Sequence, residues 1–328
     1  TNLQMNFICW FLPQPFSLYK DTFNVNPGSY IQYNNGKIKE VRWYNPKIMK
    51  NEDTEEQVER KFIELYKSSI ELRLRSDVPV GVFLSGGLDS TSIGKFSNDI
   101  MKSKFSAFCA NIEGKESQEF NNTDSVIPER LANDLGIPFH KSDLNYQFYN
   151  NNIVSLIRNY DEIFMDSGIL VFFRLANLAK KNDTSVILTG VAGDELFGGY
   201  PWQGGSARKI NSIFKFTYNK LKPIDLFLRM ALTLNRKLAS AYRLLFDYKV
   251  WHAESLSSFS YDFGKSKTEL ENKIRHNAEK YFDIAHDHVG GDIYNTMTYA
   301  NTFTVVGTAN HFVDSASMMY SVENRAPF

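Results

Sequence analysis

The stretch Val80-Gly81-Val82-Phe83-Leu84-Ser85-Gly86-Gly87-Leu88-Asp89-Ser90 decides the fold of this chain. Its first part, within 78–84, is short and apolar, which predicts a buried strand. The glycine pair predicts a loop, and helical spacing over roughly 89–102 predicts a helix behind it. A strand, a glycine loop and a helix in this order are the unit from which parallel α/β sheets are built.

The same alternation continues on both sides of this unit. The spacing of apolar residues predicts further helices from Thr54 to Leu74 and at 126–135, 146–159 and 168–181, and further strands at 105–112, from Ile137 and at 185–189. Apolar strands that alternate with helices predict an α/β fold with a doubly wound parallel sheet, covered on both faces. Ligands in such sheets bind at the carboxyl ends of the strands, where the glycine loops after Leu84 and Leu188 both lie.

The flanks of this pattern differ in composition. Residues 1–50 contain alternating stretches on either side of Asn34-Asn35-Gly36, which predicts a hairpin that buries too little to stand alone. Residues 208–285 have mostly helical periodicity and predict a mainly helical C-terminal part. The chain begins without Met and stops on Ala326-Pro327-Phe328, so we expect it to be a piece of a longer protein.

The composition excludes several classes of protein. The 328 residues include 37 basic and 37 acidic side chains, and this balance argues against a nucleic-acid partner. No apolar run approaches the roughly 20 residues that span a bilayer, and the N-terminus lacks the features of a signal peptide. The two cysteines, Cys9 and Cys109, are far apart and outside any metal-ligand pattern. We therefore expect a cytoplasmic protein without a membrane partner, with Cys109 as a small buried hydrophobe.

The loop at 85–90 has the chemistry of a phosphate cradle. Its glycines let the backbone approach phosphate oxygens, and the helix behind it directs free N–H groups to the same place. Ser85 and Ser90 add hydroxyl donors. Asp89 would repel phosphate unless a cation lay between them, which makes it a candidate Mg²⁺ ligand. A bare glycine pair would indicate only a flexible turn, but the strand, the helix and the aspartate together favour a binding site.

Two further motifs carry acidic residues. The loop Thr189-Gly190-Val191-Ala192-Gly193-Asp194-Glu195-Leu196-Phe197-Gly198-Gly199-Tyr200 has four glycines and an acidic pair. Asp194 is a candidate to share the metal with Asp89, whereas Glu195 also suits the dipole of a helix N-terminus. The third motif runs from Asp314 to Phe328 and contains Glu323 and Arg325, which are two apart and share no helix face, so that taken alone they indicate a structural pair.

Three motifs taken together resemble the synthetase domain of glutamine-dependent asparagine synthetases. They are Ser85-Gly86-Gly87-Leu88-Asp89-Ser90, Gly193-Asp194-Glu195-Leu196-Phe197-Gly198-Gly199-Tyr200 and Ser317-Met318-Met319-Tyr320-Ser321-Val322-Glu323-Asn324-Arg325-Ala326-Pro327-Phe328. The resemblance runs from about residue 54 to the last residue. Residues 1–50 resemble the last strands of the family's N-terminal glutaminase (Ntn) domain, whose catalytic cysteine is not in this chain. The resemblance thus implies a β tail of that truncated domain at 1–50. It also implies an ATP-pyrophosphatase domain of the adenine-nucleotide α-hydrolase-like type at 51–328, truncated at its C-terminus.

The resemblance also implies a reaction and its site. In the implied reaction the side-chain carboxylate of aspartate attacks the α-phosphorus of ATP, giving aspartyl-AMP and pyrophosphate, and ammonia from glutamine then displaces AMP. The implied ATP contacts are Leu84, Ser85, Gly86, Gly87, Leu88, Asp89, Ser90, Ala110, Thr189 and Gly190. Mg²⁺ is implied at Asp89 and Asp194, and Glu195, Glu323 and Arg325 complete the implied catalytic set. The partners are small molecules, and a homodimer is a further expectation.

Because of two departures from the family pattern, the sequence leaves open which carboxylate and which amine the protein joins. Asparagine synthetases commonly carry Glu where this chain has Val191, and a basic residue where it has Ser315. The first hypothesis is therefore an asparagine synthetase in the broad sense, with a relocated base. The second is a relative that joins another carboxylate to another amine, as in natural-product or surface-polysaccharide pathways, β-lactam synthetases and lasso-peptide cyclases. The third is a non-catalytic nucleotide-binding homologue.

Overall fold

The structure is a computed structural model. It describes residues 2, 3, 6, 12, 14–44, 52–112, 126–160, 162, 168–199 and 306–328. The helices predicted at 208–285 and Cys9 lie outside the described residues. Within the described part of the chain, the helices are either too short or too polar for a membrane span.

The chain divides into two compact units. One comprises Thr1–Lys50 and Asp194–Thr308, and the other comprises Asn51–Gly193 and Ala309–Phe328. The predicted division at residue 50, into a glutaminase tail and a synthetase domain, stays a prediction.

The first unit contains the predicted hairpin. Strands β1 (Ser29–Asn34) and β2 (Lys37–Arg42) pair antiparallel, with Asn34 opposite Lys37. The two turn residues between them, Asn35 and Gly36, have φ of 47° and 77°. Positive φ at both positions is what a tight hairpin turn requires, and the Asn-Gly pair adopts it at low cost. The hairpin prediction is confirmed.

The remaining elements follow the predicted alternation closely. In chain order they are α1 (Glu55–Leu74), β3 (Val80–Phe83), α2 (Leu88–Met101), β4 (Ser106–Ile112), α3 (Val126–Leu135), β5 (Phe139–Leu144), α4 (Tyr146–Tyr160), α5 (Gly168–Lys181), β6 (Val186–Leu188), α6 (Gly193–Phe197), α7 (Val306–Met318) and β7 (Glu323–Arg325). Local signals explain their ends. Thr54 and Gln57 form a reciprocal capping box at the start of α1, and Gly136, with φ of 65°, follows the end of α3.

Strands β3 to β7 form one parallel sheet in the order β5-β4-β3-β6-β7. The chain moves outward from β3 through β4 to β5 and then returns to the other side of β3. The strand order therefore reverses between β3 and β6, the place where open α/β sheets bind ligands. The loops that follow β3 and β6 flank this switch point.

Both faces of the sheet are covered, as predicted. Alternate strand residues, among them Val82 and Leu188, pack with α1, α2 and α3, while Phe83, Phe108 and Ile187 face α5. A further cluster joins α4, α5 and α7. Cys109 is 1% exposed, which confirms the prediction of a buried small side chain. The doubly wound α/β fold is confirmed.

Two elements were not predicted from the sequence. Helix α7 and the edge strand β7 lie beyond the last strand that apolar patterning indicated. β7 is the sequence Glu323-Asn324-Arg325, which has no apolar residue and is only three residues long. It is a strand because its backbone pairs with β6, with Arg325 opposite Leu188, and this tertiary contact overrides local propensity.

Candidate active site at the carboxyl edge of the sheet

The loop after β3 turns sharply into α2. Leu84 is 2% exposed, and its N–H donates to the carbonyl of Phe108 on the neighbouring strand at 2.9 Å. Gly86 has φ of 82°, which a side chain would strain, and Gly87 is the N-cap of α2. Gly87 has no side chain to cap the helix, so the first N–H groups of α2 are directed at the mouth of the loop.

Four hydrogen bonds hold the loop from within, and one of them runs from the Gly87 N–H to Ser85 Oγ at 3.4 Å. The Ser85 N–H and Ser85 hydroxyl lie 3.1 and 3.0 Å from Ser90 Oγ, and Ser90 Oγ lies 3.2 Å from the carbonyl of Gly87. A carbonyl only accepts, so the single hydroxyl hydrogen of Ser90 goes to Gly87 and both Ser85 groups donate to Ser90. Ser90 is 5% exposed, and its hydroxyl thereby joins Ser85 to Gly87 across the loop. Backbone N–H groups are then the loop's main donors for an anion.

The loop after β6 reaches the phosphate loop at Asp89. A methyl group on Gly190 would lie 2.9 Å from Asp89 Cβ, and one on Gly193 would lie 2.5 Å from Asp89 Oδ2. Carbon atoms do not approach other heavy atoms this closely, so both positions accept only glycine while Asp89 stays in place. The two glycine loops of the sequence thus meet at Asp89.

Asp89 is suited to bind a cation that is also coordinated by the phosphates of a nucleotide. The described residues contain no group of three or more His, Cys, Asp or Glu side chains arranged to hold a metal ion. Mg²⁺ is commonly held by one or two carboxylates together with substrate phosphates. A single carboxylate beside an uncapped helix N-terminus and a glycine cradle fits that mode, with Asp89 as the ligand and the loop backbone facing the phosphates.

The predicted acidic pair lies in the first turn of α6. Asp194 is exposed, and Glu195 is 6% exposed. The carbonyl of Asp194 accepts from the N–H of Gly199 at 3.1 Å, and a side chain on Gly199 would collide with the Asp194 carboxyl group. The glycine pair that follows α6 therefore lets the chain fold back over Asp194. Its joint role with Asp89 stays a prediction.

The other predicted nucleotide contacts lie along the same edge. Thr189, which is 1% exposed, donates its hydroxyl to Asn324 Oδ1 at 2.8 Å and its N–H to the carbonyl of Arg325 at 3.1 Å. Ala110 is in β4 and is partly buried against the Phe83 cluster. Asn324 anchors the start of the loop after β6. Sequence reasoning missed this role, because Asn324 lies in a strand that has no apolar signal.

The two departures from the family pattern lie in different surroundings. Val191 is half-buried in the loop after β6, just before Ala192, whose φ is 77°. Ser315 lies in α7 with its Oγ 3.4 Å from Nδ1 of His311, one turn earlier. The His311 ring stacks on Tyr160 with centroids 5.3 Å apart. An imidazole thus lies beside the position where a basic residue was expected, and sequence reasoning did not single it out.

Glu323 and Arg325 form a clamp between β7 and the end of α1. Two residues apart on a strand, they share a face, and the Arg325 guanidinium pairs with the Glu323 carboxylate at 2.9 and 3.1 Å. Nη1 of Arg325 also donates to the carbonyls of Arg73 and Arg75 at 2.8 and 2.7 Å. These carbonyls belong to the last turn and C-cap of α1, which have no partner within the helix. The pair therefore holds β7 to the end of α1, and its catalytic role stays a prediction.

Replacing Arg325 by Lys should lower the free energy of unfolding by about 1–3 kcal/mol, because one ammonium cannot satisfy the carboxylate and both carbonyls. The hydrogen bond from Arg325 lowers the pKa of Glu323. A lowered folded-state pKa stabilises the protein above the unfolded pKa, and this contribution is lost as pH falls through the folded pKa. The loss in free energy of unfolding caused by Arg325→Lys should therefore be larger at pH 7 than at pH 3.

Urea denaturation at both pH values measures this difference. The matched control is Arg130→Lys, since Arg130 makes an exposed ion pair with Asp134 at 3.9 Å. That substitution should change stability by less than about 0.5 kcal/mol. An Arg325→Lys variant as stable as the control at pH 7 would contradict the clamp.

The chain is similar to a protein family and to known proteins. The profile of the asparagine synthase family matches residues 61–328. A putative asparagine synthetase [glutamine-hydrolyzing] 2 of Methanocaldococcus jannaschii is 32% identical over 207 residues, covering 60% of this chain and 38% of that protein. Asparagine synthetase [glutamine-hydrolyzing] 1 of Bacillus subtilis is 30% identical over 191 residues, covering 58% of this chain and 29% of that protein. The matched region thus spans well under half of each relative.

Among solved structures, the chain matches the U34-tRNA thiolase NcsA from Methanococcus maripaludis with its [4Fe-4S] cluster. The match has a TM-score of 0.33 and 12% identity, and covers 74% of this chain and 79% of that one. A likeness at this level says nothing about the reaction of this chain.

Proposed function

The chain belongs to the asparagine synthase family, and from that premise we propose that it is an ATP-dependent, amide-forming ligase. In the proposed reaction it adenylates the side-chain carboxylate of aspartate, and ammonia from glutamine then displaces AMP. The observation that carries the proposal is the meeting of both glycine loops at Asp89, since this forms a cradle with one carboxylate beside the N-terminus of α2.

The first chemical step needs positioning and charge stabilisation more than proton transfer. A carboxylate oxygen forms a bond to the α-phosphorus, and the bond from that phosphorus to the pyrophosphate oxygen breaks. The N–H groups of Gly86 and of the first turn of α2 would orient the phosphates and stabilise the charge that develops on the leaving group. Asp89, and in our proposal Asp194, would hold a Mg²⁺ ion, which when bound neutralises charge on the pyrophosphate.

The second step transfers an amine. The amine nitrogen attacks the acyl carbon, AMP leaves with the electron pair of the bond that breaks, and the amine must lose a proton. Val191 cannot accept that proton. This observation favours a second candidate function, in which the same adenylating site serves another carboxylate and another amine. A non-catalytic nucleotide-binding homologue is the third candidate.

Three further assignments accompany this proposal. We assign residues 1–50 to the tail of a glutaminase domain, as the family resemblance implies. The two synthetase relatives are both named as glutamine-hydrolyzing, which supports this assignment. The homodimer and the cytoplasmic location stay predictions.

Exchange of labelled pyrophosphate into ATP tests the proposal directly. Full-length protein with Mg²⁺ should exchange label when aspartate is present, and should not do so when aspartate is omitted or replaced by asparagine, which lacks the attacking carboxylate. Exchange only with some other carboxylate would support the second candidate. Tight MgATP binding by calorimetry, with no exchange for any carboxylate, would support the third and overturn the ligase proposal.

A further inference from the structure

Tyr66 of α1 lies directly behind the phosphate-binding helix. It is 6% exposed, and its ring stacks on Phe62 and Phe328 with centroids 5.7 and 4.8 Å away, while Phe96 of α2 meets it edge-on at 5.7 Å. Rings packed on several sides leave the phenol little freedom to rotate. The position of its hydroxyl is therefore set by packing.

The Tyr66 hydroxyl leads by two hydrogen bonds to the backbone of Asp89. Tyr66 Oη lies 2.9 Å from Ser92 Oγ, and Ser92 Oγ lies 2.8 Å from the carbonyl of Asp89. Because a carbonyl only accepts, the hydroxyl hydrogen of Ser92 goes to Asp89, and Tyr66 must then donate to Ser92. The chain of donors runs in one direction, and each bond polarises the next.

The phenol keeps its proton at neutral pH. Burial raises the pKa of Tyr66 to about 12, the bond to Ser92 acts against that rise, and the negative charge of Asp89 adds to it. A protonated phenol is the form that the donor chain requires.

The C-terminal motif holds Tyr66 in place. The Ser69 hydroxyl donates to the carbonyl of Pro327, and Arg73 Nε donates to the carbonyl of Ala326 at 2.5 Å. These bonds lay residues 326–328 along α1 and bring the Phe328 ring onto Tyr66. A segment distant in sequence thus supports the first turn of α2 from behind.

We propose that Tyr66 and Ser92 are positioning residues that set the place of Asp89 for the pyrophosphate part of ATP, supported by residues 326–328. This inference rests on the proposed function, because it assigns Asp89 to the metal and the pyrophosphate. The two hydroxyls do not contact the phosphates. They fix the backbone from which Asp89 extends, and so determine how well the site recognises Mg²⁺ and pyrophosphate.

The test compares Ser92→Ala with Ser97→Ala in the full-length protein. Both substitutions remove one hydroxyl from α2, but Ser97 Oγ is buried without a hydrogen-bond partner among the described residues. Calorimetry with Mg²⁺ and α,β-methylene-ATP should show affinity about five- to tenfold weaker for Ser92→Ala, the effect expected when Asp89 loses the hydrogen bond that Ser92 donates to its carbonyl. Ser97→Ala should bind within twofold of wild type.

Binding of AMP separates positioning from general loosening, since AMP lacks the pyrophosphate. Ser92→Ala should bind AMP within twofold of wild type, whereas a general loss of structure would weaken both ligands. Tyr66→Phe keeps the ring and removes only the hydroxyl donor. It should likewise weaken binding of the MgATP analogue and leave AMP binding unchanged, and it replaces Ser92→Ala in the test if that variant does not fold.

Each outcome decides one of the two proposals. If wild type binds the MgATP analogue, and both Ser92→Ala and Tyr66→Phe match Ser97→Ala, the positioning role is overturned and the ligase proposal stands. If wild type binds no nucleotide, the proposed function fails and the positioning role fails with it.

Discussion

Substituting Asn for Asp89 should reduce pyrophosphate exchange into ATP about a thousandfold, which is the size of effect seen when a charge-stabilising group is removed from an active site. Asn has nearly the same shape as Asp but lacks the negative charge that attracts a divalent cation. The half-buried Asp89 side chain lies against Gly190 and Gly193, so an isosteric replacement should keep the loop intact. The loss should therefore come from the missing cation.

The control for this experiment is on the same helix. Asp99→Asn removes an exposed carboxylate of α2 that pairs with Lys95 one turn earlier, and it should leave the exchange rate within twofold of wild type. Thermal melting of both variants should stay close to wild type. An Asp89→Asn variant that exchanges pyrophosphate at a near-normal rate would refute the metal assignment.

Replacing Gly193 by Ala should cost about a hundredfold in the same exchange reaction. The added methyl would lie 2.5 Å from Asp89 Oδ2 and 2.7 Å from its Cγ. Either the loop after β6 or the carboxylate must then move by about an ångström, and displacements of this size in an active site can cost about 10²-fold in rate. The fold should survive, because the collision involves a side chain at the mouth of the loop.

A second glycine distinguishes this local collision from a general effect of adding a methyl group. Gly307 lies in α7, where a methyl would meet Gln14 at an ordinary distance of 3.4 Å. Gly307→Ala should leave the exchange rate unchanged and slightly favour the helix. If Gly193→Ala retains wild-type exchange, the convergence of the two loops at Asp89 has no bearing on the reaction.

Much of the fold could be predicted because its signals are local. Thr54 and Gln57, three residues apart, form the capping box that marks the start of α1, and Asn35-Gly36 specifies a hairpin turn. The phosphate loop is equally local, since strand, glycines, aspartate and helix follow one another within a dozen residues. Where the local signal was absent, as in β7, the element was missed, because pairing with β6 and not its own residues makes it a strand.

The sequence by itself determined the phosphate loop, its candidate carboxylate Asp89 and the alternation of strands and helices that places the loop at a sheet edge. Only the tertiary structure decided what surrounds that carboxylate. Gly193 approaches it from the loop after β6. Tyr66, which packs on Phe328, is linked through Ser92 to the backbone carbonyl of Asp89. Arg325 is turned towards the end of α1, about 250 residues earlier in the chain. Such contacts depend on the order of strands in the sheet, and periodicity along the chain carries no information about which strands become neighbours.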